Sequence, residues 1–258
     1  MIKISIVTPI RENLVELARL MDSIKNTTET PSEIEIILIA DKCDAVLVPL
    51  IPRLERKYKK FNLRFFIVYR SEHFVRDYYN FAAKQAIGRW ILAINADVVF
   101  MTPSWDRIID SKMSAAADQF KDDFIYGITK DGLPRQGDPG IETSKKAIWP
   151  QKVDFSCWIL TSKAFVNFYG GMMDELNWLW GADHWTGLMW QNVFQGSRIV
   201  MILEVFIDHI SHHVKDLPQP ESFKYFCAIM KKHGFSYTQA ISQKEARKIE
   251  NHINKIHQ

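Results

Sequence analysis

The chain is poor in the features that build disulfide-stapled, zinc-held or membrane-spanning proteins. It has 3 cysteines in 258 residues, Cys43, Cys157 and Cys227. They are far apart and odd in number, so neither a disulfide framework nor a zinc-ligand spacing is present, and a reducing compartment is expected. No apolar run approaches the roughly 18 residues that a spanning helix needs. The N-terminus runs straight into a strand-like Ile2-Lys3-Ile4-Ser5-Ile6-Val7 with no signal-peptide pattern. These features lead us to expect a cytoplasmic protein. Excess charge of one sign is also scarce: 33 Lys and Arg against 30 Asp and Glu leave a net charge of +3. That suits an anionic ligand such as a nucleotide, but is too weak to argue for nucleic acid. Internal repeats and low-complexity segments are lacking. The apolar share of 47% excludes a disordered chain and is ample for a core.

The patterning alternates strand and helix. Ile4 to Val7 is a buried-strand run, ended by Thr8-Pro9 because proline removes a ladder donor. Leu14, Leu17, Ala18, Met21 and Ile24 recur at helical spacing after Asn13, a suitable N-cap. Ile34 to Ala40 is a second strand, ending at Asp41. Leu47 to Lys60 is a helical stretch with Pro49 and Pro52 near its first turn. Leu63 to Tyr69 is a third strand, and Arg76 to Ile87 a helix stopped by Gly88. This order predicts a parallel, doubly wound sheet. Farther on, the pattern predicts a helix over Trp105–Phe120, strands near 124–129, 153–161 and 197–207, and a long loop over 130–149. A short helix over 162–168 ends at Gly170-Gly171, and residues 221–258 read as a helical tail.

The most informative stretch runs from Gly88 to Phe100. Trp90 to Ile94 reads as a strand buried on both faces, and Asn95 and Asp97 follow two residues apart. On an extended chain, i and i+2 share a side, so two oxygen-bearing side chains are expected to leave the carboxyl end of a central strand together. In open α/β sheets ligands bind at that end. A carboxylate there suits a hard divalent cation that in turn holds a diphosphate. The plain alternative is an Asn/Asp turn.

Taken together, these blocks resemble the GT-A-fold glycosyltransferases, most closely the large family 2 type, over roughly residues 1–215. That resemblance implies a Rossmann-like α/β domain with a mostly parallel central sheet, and residues 216–258 as a helical extension packed on it. In the family the turn after the first strand lies over the nucleotide; Thr8, Pro9 and Arg11 occupy that place, without the usual aromatic residue. The second strand's terminal acid, which binds the base, is Asp41. Arg76 and Asn80, followed by Ala86, Gly88 and Trp90, match the helix before the central strand. The family's Asp-x-Asp motif reads Asn95-Ala96-Asp97: the second acid, which touches the metal, is kept, and the first is replaced by an uncharged amide. The block Trp180-Gly181-Ala182-Asp183-His184-Trp185 makes Asp183 the candidate catalytic base, with Ala182 where an acid is usual. A histidine after the last strand is a further metal ligand in many members; His209, His212 and His213 compete for that place.

The implied chemistry is transfer of a sugar from a nucleotide-diphosphate sugar to a hydroxyl, inverting and dependent on Mn²⁺ or Mg²⁺. The cation, on Asp97 and on His209 or His212, neutralises the leaving diphosphate; imidazole favours Mn²⁺. Asp183 accepts the acceptor's proton, and Trp180 and Trp185 suit stacking on the acceptor. The acceptors implied are a glycan or lipid-linked sugar, with a modified nucleic-acid base as a further class. A different class remains in play: a non-catalytic nucleotide or sugar-nucleotide binder on the same scaffold, with Asn95 as the sign of lost activity. A nucleotidyltransferase is disfavoured, because Thr8 to Asn13 contains no glycine for a phosphate loop.

Overall fold

The structure, a computed structural model, describes residues 1–11, 13–131, 158–172, 198–209 and 228. The expected loop beyond residue 131, the block around Asp183 and the C-terminal tail fall outside these residues, apart from residue 228.

Four strands make the parallel half of the sheet: β1 (Ile4–Ile10), β2 (Ile34–Asp41), β3 (Asn62–Val68) and β4 (Trp90–Ile94). They lie in the order β3-β2-β1-β4, all parallel. The sheet continues through β7 (Trp158–Ser162), β6 (Tyr126–Asp131), β8 (Ile199–His209) and β5 (Val98–Phe100), giving eight strands among the described residues. In this half β7 is antiparallel to β4 and to β6, β8 is parallel to β6, and β5 is antiparallel to β8.

β1, β2 and β4 are buried along their whole length. Their side chains alternate between two cores. Ile4, Ile6, Ile36, Leu38, Trp90 and Leu92 pack with α1 (Leu14–Thr27) and α4 (Trp105–Phe120) on one face. On the other, Val7, Ile37, Ile39, Ile91 and Ala93 pack with α3 (Phe81–Gln85) and α5 (Lys163–Tyr169). Of the helical stretch expected over Leu47–Lys60, α2 covers Ile51–Lys57 with Pro52 in its first turn, and Pro49 lies in a short 3-10 turn, Val48–Leu50.

Three expectations are corrected. Proline does not end β1 at Val7: the β1–β4 ladder stops at Val7–Ala93, while pairing with β2 continues through Pro9–Ile39 to Ile10–Ala40. A residue with no N–H is tolerated where the strand has lost one neighbour. Thr8 and Pro9 are therefore buried sheet residues and not part of a turn. The helix expected from Arg76 is not uniform: it opens with a π-helical stretch (Val75–Asn80), where the Phe81 N–H bonds the Arg76 carbonyl, and α3 ends at Gln85. Asn95 and Asp97 do not continue an extended strand. The chain turns between β4 and β5, so strand alternation does not govern their directions. Other readings hold: Asn13 caps α1 by accepting from the Glu16 N–H at 3.2 Å, α4 spans the expected residues, and Ser162 caps α5, which ends at Gly170 with φ 84°.

At the amino ends of the strands a buried polar network ties β1, β2 and β4 together. The Glu35 side chain, 0% exposed, accepts from Arg64 Nη1 at 2.6 Å. It also accepts from the Ile87 N–H at 2.9 Å and from the Ser5 hydroxyl. Ser5 Oγ accepts in turn from the Gly88 N–H at 2.8 Å. Gly88 is needed for this approach, since a Cβ there would lie 2.6 Å from the Ser5 nitrogen. Truncating one partner of a buried ion pair leaves the other unpaired. Glu35→Ala should therefore cost about 3 kcal/mol in chemical denaturation; a loss under about 1 kcal/mol would mean that water replaces the carboxylate.

Candidate donor-nucleotide site

The opposite, carboxyl ends of β1, β2 and β4 carry the residues singled out from the sequence. Asp41 closes β2, paired in register with Val68 at the end of β3. Its side chain is 2% exposed. The Tyr78 hydroxyl donates to Asp41 Oδ1, and Arg11 Nε donates to Oδ2 at 3.0 Å. Arg11 Nη2 also donates to the Ser71 carbonyl at 3.2 Å and to the Tyr78 hydroxyl at 3.0 Å. The guanidinium carbon lies 5.1 Å from the centroid of Phe74 and 5.5 Å from that of Tyr78, and these two rings stack at 4.6 Å. Arg70 Nε stands 3.9 Å from Asp41 Oδ2. Burial, and then the hydrogen bond to Asp41, raise the Tyr78 hydroxyl above its usual pKa.

The structure thus brings Arg11 and Asp41 together and adds Arg70, Ser71, Phe74 and Tyr78, which the sequence reading did not single out. A signal was present. Phe74 and Tyr78 are four apart, the spacing of neighbours on one helix face, and they follow directly on a strand that ends beside Asp41.

Arg76 and Asn80 have separate partners. Arg76 is exposed and forms a two-pronged pair with Asp77, Nε to Oδ1 at 2.6 Å and Nη2 to Oδ2 at 2.9 Å. Asn80 is fully buried, and its Oδ1 accepts the Met172 N–H at 2.8 Å. Beside them lies a cavity of about 510 Å³ lined by Arg70, Ser71, Arg76, Asp77, Phe81 and Lys84, among others. Thr8 is buried, and its Oγ1 has no hydrogen-bond partner among the described residues.

The residue after Tyr78 serves the next strand end but one: the Tyr79 hydroxyl donates to Asn95 Oδ1 at 2.7 Å. Asn95, Ala96 and Asp97 form the β4–β5 turn, half-buried, with Asp97 Oδ1 fully covered. The β5–β8 ladder sets Val98 opposite His209, so the backbone of this histidine lies across from the residue next to Asp97. No group of three or more His, Cys, Asp or Glu is placed to hold a metal among the described residues. Asp183, Trp180, Trp185, His212 and His213 lie outside the described residues.

A sheet that is parallel over β3-β2-β1-β4 and mixed beyond, with helices on both faces, is the GT-A architecture. The chain belongs to Glycosyl transferase family 2, whose profile matches residues 5–159 of the 258. It is similar in fold to S. aureus TarS 1–349 in complex with UDP, at 15% identity and TM-score 0.57, over 92% of this chain and 73% of that one. Similar too is GalNAc-T7 with UDP, GalNAc and Mn²⁺, at 15% identity and TM-score 0.62, over 90% of this chain and 48% of that one. A third is the mannosyltransferase PcManGT from Pyrobaculum calidifontis with GDP-Man and Mn²⁺, at 10% identity and TM-score 0.54, over 83% and 58%. The chain spans 44% of a longer TarS structure. No curated protein matches it in sequence. Among the described residues no helix is long and apolar enough to cross a membrane.

The Arg76–Asp77 pair generates a pH prediction. Hydrogen bonding from Arg76, foremost, and from Ser71 holds the Asp77 carboxyl below its usual value against the opposing effect of burial. A depressed folded pKa contributes stability that is present above the unfolded value of about 3.9 and lost as pH falls through the folded one. Arg76→Ala should move the Asp77 titration upward in carboxyl NMR and cost more stability at neutral pH than in strong acid. An unmoved titration would show that Arg76 is not what holds it down.

Proposed function

We propose that the chain transfers a glycosyl group from a nucleoside-diphosphate sugar to an acceptor hydroxyl, inverting the anomeric centre with the help of a divalent cation. The observation that carries this reading is the β5–β8 register, which puts the backbone of His209 beside the turn that holds Asp97. A carboxylate with one oxygen buried, on Asp97 in the turn, and a histidine on the strand beside it are donor types that suit Mn²⁺. His209 and Asp97 would hold the ion, with His212 as the other candidate. When bound, the ion supplies positive charge to the departing diphosphate.

The protein's own groups do the rest. Arg11, Asp41 and Arg76, with Thr8, Pro9, Asn80, Asn95 and Ala96 around them, make the donor site. Asp183 takes the proton from the acceptor hydroxyl as its oxygen bonds the anomeric carbon, while the bond from that carbon to the diphosphate oxygen breaks on the opposite face. Trp180 and Trp185 supply a stacking surface for the acceptor.

Replacement of the first metal-motif acid by Asn95 favours a second reading, a binder that has lost catalysis. Two variants separate them. Asp183→Asn should lower kcat by about 10²–10⁴-fold with nucleotide binding intact. Asp97→Ala should remove the Mn²⁺-dependent part of the thermal stabilisation by a nucleoside diphosphate, about 2.7 kcal/mol at 100 times the dissociation constant. A wild-type protein that binds nucleotide, yet neither transfers nor hydrolyses a sugar nucleotide with Mn²⁺, would establish the binder.

A further inference from the structure

Resting on the donor-site reading above, we infer that Arg11 is the residue that reads the nucleobase and that Asp41 and Tyr78 are positioning residues for it. The resemblance implies direct contact between Asp41 and the base. The geometry points elsewhere, because both Asp41 oxygens already accept, Oδ1 from the Tyr78 hydroxyl and Oδ2 from Arg11 Nε. The carboxylate is also hidden: its side chain is 2% exposed, against 28% for Arg11 and 47% for Arg70. An incoming base therefore meets guanidinium groups.

Arg11 is fixed for that role. Three hydrogen bonds, one of them to a buried carboxylate, and two aromatic faces set its plane. Nε and Nη2 are engaged in those bonds, whereas Nη1 donates to none of the described residues. A planar fork held in this way loses little freedom when it binds a ligand. The exposed guanidinium surface thus offers N–H donors, and an exocyclic keto oxygen matches them where an exocyclic amino group does not. Uracil and guanine present the keto oxygen at pyrimidine position 4 or purine position 6. Cytosine and adenine present an amino group there, whose hydrogens would face the guanidinium.

The test is calorimetric titration with UDP, CDP, GDP and ADP in the presence of Mn²⁺, on wild type and on Arg11→Ala, Arg11→Lys and Tyr78→Phe. Unfolding midpoints confirm that each variant is folded. The wild type should prefer UDP to CDP, and GDP to ADP, by about tenfold or more, the worth of one charge-assisted hydrogen bond. Arg11→Ala should weaken UDP binding and bring the UDP/CDP ratio near one. Arg11→Lys, which keeps the charge and loses the fork, should narrow the ratio. Tyr78→Phe should also narrow it, a change that a purely structural tyrosine would not cause. Tighter UDP binding by Arg11→Ala would overturn the inference, since Arg11 would then be a plug displaced to expose Asp41; an unchanged ratio in the Arg11 variants would overturn it as well. Failure of the wild type to bind any of the four nucleotides would instead remove the donor-site reading, and this inference with it.

Discussion

Burial of the central strands on both faces is the constraint from which the rest of the molecule follows. β1, β2 and β4 have no solvent-facing side, so alternate residues fill two separate cores. Inside such a layer an unpaired polar group is expensive, which leaves polar chemistry to the strand ends. The two ends have diverged. At the amino ends, Glu35, Ser5, Arg64 and the Gly88 backbone satisfy one another, and a Cβ on Gly88 would collide with Ser5. At the carboxyl ends, polar groups gather around a cavity and retain exposed guanidinium surface.

The two acids that close off β2 differ for the same reason. Glu35 and Asp41 are both buried and both bonded to an arginine. Glu35 lies where the chain crosses between elements, and its partners include the Ile87 backbone N–H, so its bonds fasten the scaffold. The partners of Asp41 are the side chains of Arg11 and the buried Tyr78, with Arg70 nearby, and the two arginines retain exposed surface. One carboxylate ties backbone and sheet together, while the other is bonded to side chains, one of them a partly exposed guanidinium.

Much of the fold was legible in the sequence because apolar periodicity reports burial directly. The runs Ile4–Val7, Ile34–Ala40 and Trp90–Ile94 and the 105–120 helix all stand where their patterns put them. The misread features have local causes that a pattern does not carry. Pro9 stays in its strand because β4 stops pairing at Ala93, a fact of the neighbouring strand. The π-helical stretch depends on a hydrogen bond to a carbonyl five residues back, which leaves the apolar spacing nearly unchanged. At the site, Asp41 was legible as an acid at a strand end. Its occupation by Arg11 and Tyr78 was not, because these residues are 30 and 37 positions away in sequence. Asn95 and Asp97 were legible as a motif, and their relative direction was not, since it is set by a turn.

The π-helical stretch links the two halves of the site. Successive residues of a regular α-helix point about 100° apart, yet Tyr78 and Tyr79 are both buried and send their hydroxyls to the carboxyl ends of the central strands. Tyr78 reaches Asp41 at the end of β2, and Tyr79 reaches Asn95 at the end of β4, with β1 between them in the sheet. The wider turn buries three consecutive side chains, Tyr78, Tyr79 and Asn80, and Asn80 fastens the stretch from behind through the Met172 N–H. One short segment thereby fixes the spacing between the group that orients Arg11 and the turn that carries Asp97. The proposed donor site, reaching from base to diphosphate, needs that spacing constant, and π-helical turns recur where such constraints arise.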